Sequence, residues 1–214
     1  MIVLGDNGVN YYGPTKDRRL KKKLEEMPIT FFMIKGNHDQ RPSRKLYHVT
    51  SNNPHPLLEG TCLAEDDYPS ILFSAMYGGY QFLRPSGIWQ RAFVLGGAYS
   101  VDKWYRLDMQ AAGYKQYRWF SDEQMTNWEM KEAESMLKDF EPDIILSHTC
   151  PRLYIPTDMF LRGLDQNTVD QTMETWMGHL EYTIPYDTWY CGHWHTDRKI
   201  DKVRFLFNDI IELE

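Results

Sequence analysis

Apolar and polar positions follow two different rhythms along this chain. Residues 2–4 (IVL) form a short apolar run ending in Gly5 and Asp6, the pattern of a strand buried in a sheet. Residues 14–27 change to a helical period. Thr15 can cap that helix, Leu20, Leu24 and Met27 make a narrow apolar stripe, and Pro28 stops it. Residues 29–34 (ITFFMI) predict a strand buried on both faces. Strand, helix and strand in that order predict a right-handed parallel crossover.

The middle of the chain turns more often. Residues 71–83 hold two short apolar runs around Gly78 and Gly79, a hairpin signal, and residues 92–100 are a strand ending in glycines. Residues 121–142 predict a helix with a capping box at Ser121 and Gln124; its buried side comprises Met125, Trp128, Ala133, Met136, Leu137 and Phe140. A strand over DIILSHTCP, a helix over 168–180 and closing strands over 188–193 and 203–213 follow. Without repeats, low-complexity tracts or Ser/Gly linkers, the pattern predicts one domain, 1–214, with two sheets covered by helices.

Charge narrows the partners. Lys plus Arg is 24 and Asp plus Glu is 30, a formal net charge of −6, which disfavours broad nucleic-acid binding without excluding it. Three cysteines (Cys62, Cys150, Cys191) are too few for a disulfide scaffold and suit a reducing compartment. With no apolar stretch near 18 residues and no basic leader followed by an apolar segment, the expected location is cytoplasmic, with no membrane partner.

Four predicted strands end in residues that can hold a metal: Asp6, the Asn37-His38-Asp39 group, His148, and the pair His193 and His195. In open α/β sheets ligands bind beyond the carboxyl ends of strands, so the four would meet at one rim. Glycines at 5, 36 and 192 permit the sharp turns and close backbone approach this needs. Carboxylate, amide oxygen and imidazole together suit Mn, Fe, Zn or Co. A carboxylate can bridge two such ions, the arrangement that clamps both oxygens of an in-line phosphoryl displacement.

GD, GNHD, a strand-end histidine and GHWH, in that order, resemble the calcineurin-like metallophosphoesterase superfamily, and GGAYSVDKWYR (96–106) resembles a bacterial and phage branch of it. The resemblance spans essentially the whole chain. It implies a four-layer αββα sandwich with two mixed sheets. It also implies a hydrolase for phosphomonoesters or phosphodiesters that uses two divalent ions and a metal-activated hydroxide. On this resemblance Asp6 bridges the ions, Asn37, His148 and His193 complete one site, and His195 belongs to the other. His38 lies beside the scissile phosphate, stabilising charge or protonating the leaving oxygen, and Asp39 orients it.

The family pattern also has an Asp-x-His on a strand before the GD motif, and nothing precedes Met1. This predicts a missing first strand, one ion bound more tightly than the other, and a natural protein that begins further upstream. The alternative is a catalytically impaired metal-binding remnant or binding protein. Other residues keep plainer readings. Arg41 reads as a phosphate contact or a surface residue, Asp102 and Arg106 as an ion pair, and Lys16 to Lys23 as a solvated helix face with phosphate contact as the alternative. His48, His55 and His179 read as structural or surface. Trp104, Tyr105, Trp119 and Phe120 read as core, and Cys150 and Cys191 as small buried hydrophobes rather than zinc ligands.

Overall fold

A computed structural model describes residues 1–43, 45–160 and 166–213. In chain order the strands are β1 (Ile2–Val3), β2 (Phe31–Met33), β3 (His48–Val49), β4 (Leu58–Glu59), β5 (Leu63–Glu65), β6 (Tyr68–Phe73), β7 (Tyr77–Leu83), β8 (Trp89–Leu95), β9 (Ile144–Ser147), β10 (Thr188–Cys191), β11 (Arg198–Ile200) and β12 (Val203–Phe205). The α-helices are α1 (Pro14–Glu25), α2 (Lys103–Ala111), α3 (Asn127–Phe140) and α4 (Thr172–Thr183). One sheet runs β1-β2-β6-β5-β3 and the other β11-β12-β10-β9-β8-β7-β4. Both are mixed: β1, β2 and β6 are parallel in the first, and β8, β9, β10 and β12 in the second.

Side-chain alternation builds the four layers. Phe32 and Ile34 point between the sheets and meet Phe82, Val94, Leu146 and Tyr190. Phe31 and Met33 point the other way, toward Leu20 and Leu24 of α1. On the far side of the second sheet, Phe93, Ile145 and Trp189 pack with Met130 and Leu137 of α3 and Met177 of α4. Each fully buried large side chain of this kind contributes roughly 1.5–3 kcal/mol. Cys150 and Cys191 lie in this helix-covered cluster, as small hydrophobes.

Several local expectations are corrected. The predicted hairpin at Gly78 and Gly79 does not form, because β7 runs straight through both glycines and belongs to a different sheet from β6. Gly79 serves packing, since a Cβ there would lie 2.4 Å from the Phe140 ring of α3. The hairpin forms between β7 and β8 instead. Helix α3 starts later than predicted, with its capping box at Thr126 and Glu129. Residues 121–124 are held out of it: the Glu123 carbonyl accepts from Ala98 N–H, and the Asp122 and Gln124 carbonyls accept from Arg41. As a result Trp128 and Met136 are exposed and Met130 takes a core position. Trp104 and Tyr105, read as core, are exposed on the unforeseen helix α2. The closing strand predicted over 203–213 ends at Phe205. No helix among the described residues is long and apolar enough to cross a membrane.

Candidate functional site

The carboxyl ends of β1 and β2 from one sheet, and of β9 and β10 from the other, meet at one rim. There the chain turns sharply. Gly5, Asp6, His193 and His195 all have positive φ, at 93°, 47°, 65° and 49°. Left-handed backbone at three non-glycine residues is a strained state that persists only where the surroundings fix it. Close approach dictates two of the glycines. A Cβ on Gly5 would lie 2.1 Å from His148 Nδ1, and one on Gly36 would lie 2.1 Å from Asp6 Oδ1.

His148 is 1% exposed. Its Nδ1 lies 2.6 Å from the Leu4 carbonyl. A carbonyl only accepts, so Nδ1 carries the proton and donates it. The other nitrogen, Nε2, lies 2.8 Å from Asn37 Oδ1 and 3.5 Å from Asp6 Oδ1. Asn37 is buried, and its Nδ2 donates to Ser100 Oγ at 2.9 Å, which turns its carbonyl oxygen toward His148. One imidazole nitrogen, an amide oxygen and a carboxylate oxygen thus converge, an arrangement that a proton on Nε2 or a metal ion would satisfy. His193 joins: ligand atoms of Asp6, His148 and His193 all lie within 4.8 Å of one another. The backbone hydrogen bond behind His148 is the outer support that metal-ligating histidines usually have. The donor set fits a borderline divalent ion.

Electrostatics reflects the same convergence. Desolvation would raise the Asp6 carboxyl, but the adjoining His148 and His38 outweigh it and hold it well below the usual carboxylate range. Burial pulls His148 down, yet Asp6 wins and its pKa is raised. His193 is lowered to about 3 by desolvation and by neighbouring His148.

The other expected residues divide. His195 stands apart, exposed and stacked on Phe207 with ring centroids 4.7 Å apart. His38 lies at the rim, its backbone N–H donating to Asp6 Oδ1 at 2.9 Å. Asp39 does not orient it. The Asp39 carboxylate accepts instead from Gly36 N at 2.9 Å and from Asn7 Nδ2 at 3.0 Å, tying the loop after β1 to the loop after β2. Arg41, read as a phosphate contact or a surface residue, has its guanidinium paired with Glu129 and donating to the Asp122 and Gln124 carbonyls.

The group that faces His38 is Arg106, on α2. It pairs with Asp102 through Nε (2.7 Å), as the sequence suggested, donates through Nη1 to Tyr11 Oη (2.6 Å), and places Nη2 3.3 Å from His38 Nε2. Sequence reasoning missed this second contact and the Ser100 support of Asn37. Both residues lie in GGAYSVDKWYR, a stretch it had singled out. His38 Nε2 faces N–H donors from Arg106 and from Asn37 Nδ2, so it accepts. Burial, and then Arg106, lower its pKa against the pull of Asp6.

The family profile described as calcineurin-like phosphoesterase matches residues 1–197. No curated protein matches the chain.

Proposed function

Because the chain belongs to the calcineurin-like phosphoesterase family, a family of metal-dependent phosphoester hydrolases, we propose that it hydrolyses phosphomonoesters or phosphodiesters at the rim formed by Asp6, Asn37, His148 and His193. The observation that carries this reading is the convergence of three acceptor atoms on one point, from Asp6, Asn37 and His148. Divalent ions held there, Mn, Fe, Zn or Co, supply Lewis acidity toward phosphoryl oxygens and toward water.

The chain's own residues do the rest. Arg106 supplies a fixed positive charge at the edge of the site, braced by Asp102 and Tyr11, for the phosphoryl oxygens. His38 waits as a neutral imidazole. An anionic phosphoryl group arriving beside it raises its pKa, the condition for His38 to give a proton to the leaving oxygen. Asp39 holds the two loops together beneath it.

A second reading has its own support. His195, the ligand expected for a second ion, is turned onto Phe207, which favours a catalytically weak metal-binding protein. β1 is the edge of its sheet among the described residues, with Ile2, Leu4, Leu146, Tyr190 and Leu206 lining a groove beside it.

Mn-stimulated turnover of p-nitrophenyl phosphate and its bis-ester separates the two readings. Hydrolysis of either, abolished by Asp6→Asn in a folded protein, is the expected result. Inertness toward both esters, also after an Asp-x-His strand is joined before Ile2, would defeat the hydrolase reading.

A further inference from the structure

A cavity of about 610 Å³ is linked to the rim through Tyr11, whose ring centroid lies 6.1 Å from that of His38 and whose carbonyl accepts from Arg118 of the cavity wall. Its walls continue the same two loops: Asn10 and Tyr12 follow Asp6, and Gln40 follows His38. Gln40 N–H donates to the Asn10 carbonyl at 3.0 Å, fastening the loops together. The chain from His38 to Gln40 of the cavity wall spans at most about 7 Å.

The charges in this cavity are unevenly committed. Lys21 pairs with Glu65, Arg41 with Glu129, and Asp17 accepts from the backbone N–H groups of Tyr12 and Gly13. Asp67 is exposed at the rim. Arg18 and Lys115 are exposed and have no ion pair among the described residues. Among the described residues Arg118 is held only by neutral acceptors, the Tyr11 carbonyl at 2.7 Å and Gln40 Oε1 at 3.2 Å. Among the described residues three cations therefore line the cavity without an ion pair, with Asp67 the one exposed carboxylate beside them. Aromatic residues lie among them: Tyr12 is 54% exposed, and Tyr68 also lines the wall.

We infer that this cavity receives a nucleotide, the leaving half of a phosphodiester whose scissile phosphorus lies at the metal rim. A nucleotide uses the unpaired cations and the aromatic surface together. Its own phosphate matches Arg18, Lys115 and Arg118, its base can lie against tyrosine, and the volume suits a compact ligand rather than an extended polymer. Hydrolysis breaks the bond from phosphorus to the nucleotide's leaving oxygen and forms one from phosphorus to the oxygen of water. One water proton ends on the leaving oxygen. The inference rests on the phosphoester-hydrolase reading, but it can be tested apart from it.

The test is calorimetric titration of the full chain with adenosine 5′-monophosphate in EDTA, so that no metal-dependent step contributes. Saturable binding with Kd below about 1 mM is expected. Arg18→Glu with Lys115→Glu should weaken it at least about tenfold, and Tyr12→Ala roughly threefold, at unchanged melting temperature. Inorganic phosphate and adenosine, each carrying half of the ligand, should each bind more weakly than the nucleotide. Absence of saturation up to about 5 mM, or equal binding by the charge-reversed variant, would overturn the inference. So would an acidic phosphopeptide that binds through Arg18 and Lys115 where the nucleotide does not. Dye turnover with Mn reports separately on the metal rim. Loss of turnover with nucleotide binding intact counts against the hydrolase reading, and the reverse counts against the nucleotide.

Discussion

His148 and His195 arrive at the same rim from adjacent parallel strands, and they are held in opposite ways. His148 is buried, with one nitrogen on the Leu4 carbonyl and the other aimed at Asn37 and Asp6. His195 is exposed and lies flat against Phe207, itself half exposed. A histidine at a strand end becomes a preformed ligand only when a second contact fixes its tautomer and aim. Proximity to the rim is not enough.

The most damaging way to break this contrast is His148→Ala. It should lower affinity for the first divalent ion more than about 100-fold, beyond the range for losing an outer support, and abolish turnover. His195→Ala should change that affinity less than about threefold. Calorimetric Mn titration of both variants decides, and equal losses would erase the distinction. Next comes Gly5→Ala, which drives a methyl into the His148 ring at a φ that alanine resists. A loss of about 3–4 kcal/mol in denaturant unfolding is expected.

Behind His148, Glu174 supplies a pH-dependent counterpart. Its carboxyl is buried, accepts from Thr149 Oγ1 at 2.8 Å, and is pushed up to about 7 by desolvation. A carboxyl with a folded pKa above its unfolded one favours folding less as pH rises. The penalty starts near the ordinary carboxylate pKa, about 4.3, and is complete above about 7. Glu174→Gln, measured in EDTA, should match the parent near pH 4 and exceed it by about 3 kcal/mol near pH 8. An identical pH slope in both proteins would show that Glu174 ionises freely. The smallest effect concerns stoichiometry: one ion should bind at least about tenfold more tightly than a second, and two equivalent sites in a Mn titration would place His195 on a par with His148.

What the sequence made legible was the set of strand ends. Gly-Asp, Gly-Asn-His-Asp and Gly-His-Trp-His each combine a turn-forming glycine with a ligand type, and these signals are local. Roles that depend on distant partners were not legible. Arg41 and Arg106 look alike as cations, but Glu129, 88 positions along the chain, captures the first, while α2 carries the second to His38, 68 positions away. The Gly78-Gly79 pair was misread because a close-packed ring, Phe140, leaves the same trace as a turn. Spacing alone did not rank the histidines of GHWH, since both adopt positive φ and periodicity does not say where such a backbone aims its side chains; only the resemblance assigned His193 to the complete site and His195 to the other.

The bond from His148 to the Leu4 carbonyl joins β9 of one sheet to the end of β1 in the other. Of the candidate ligands, Asp6 and Asn37 hang from the first sheet, and His148 and His193 from the second. A cation gripped by all four is therefore a rivet through the sandwich, and parting the layers means releasing it. By mass action, free cation at 100 times its dissociation constant adds about 2.7 kcal/mol to the folded state. The melting temperature then becomes a gauge of free metal, and a chelator should soften the whole sandwich as well as quench its chemistry.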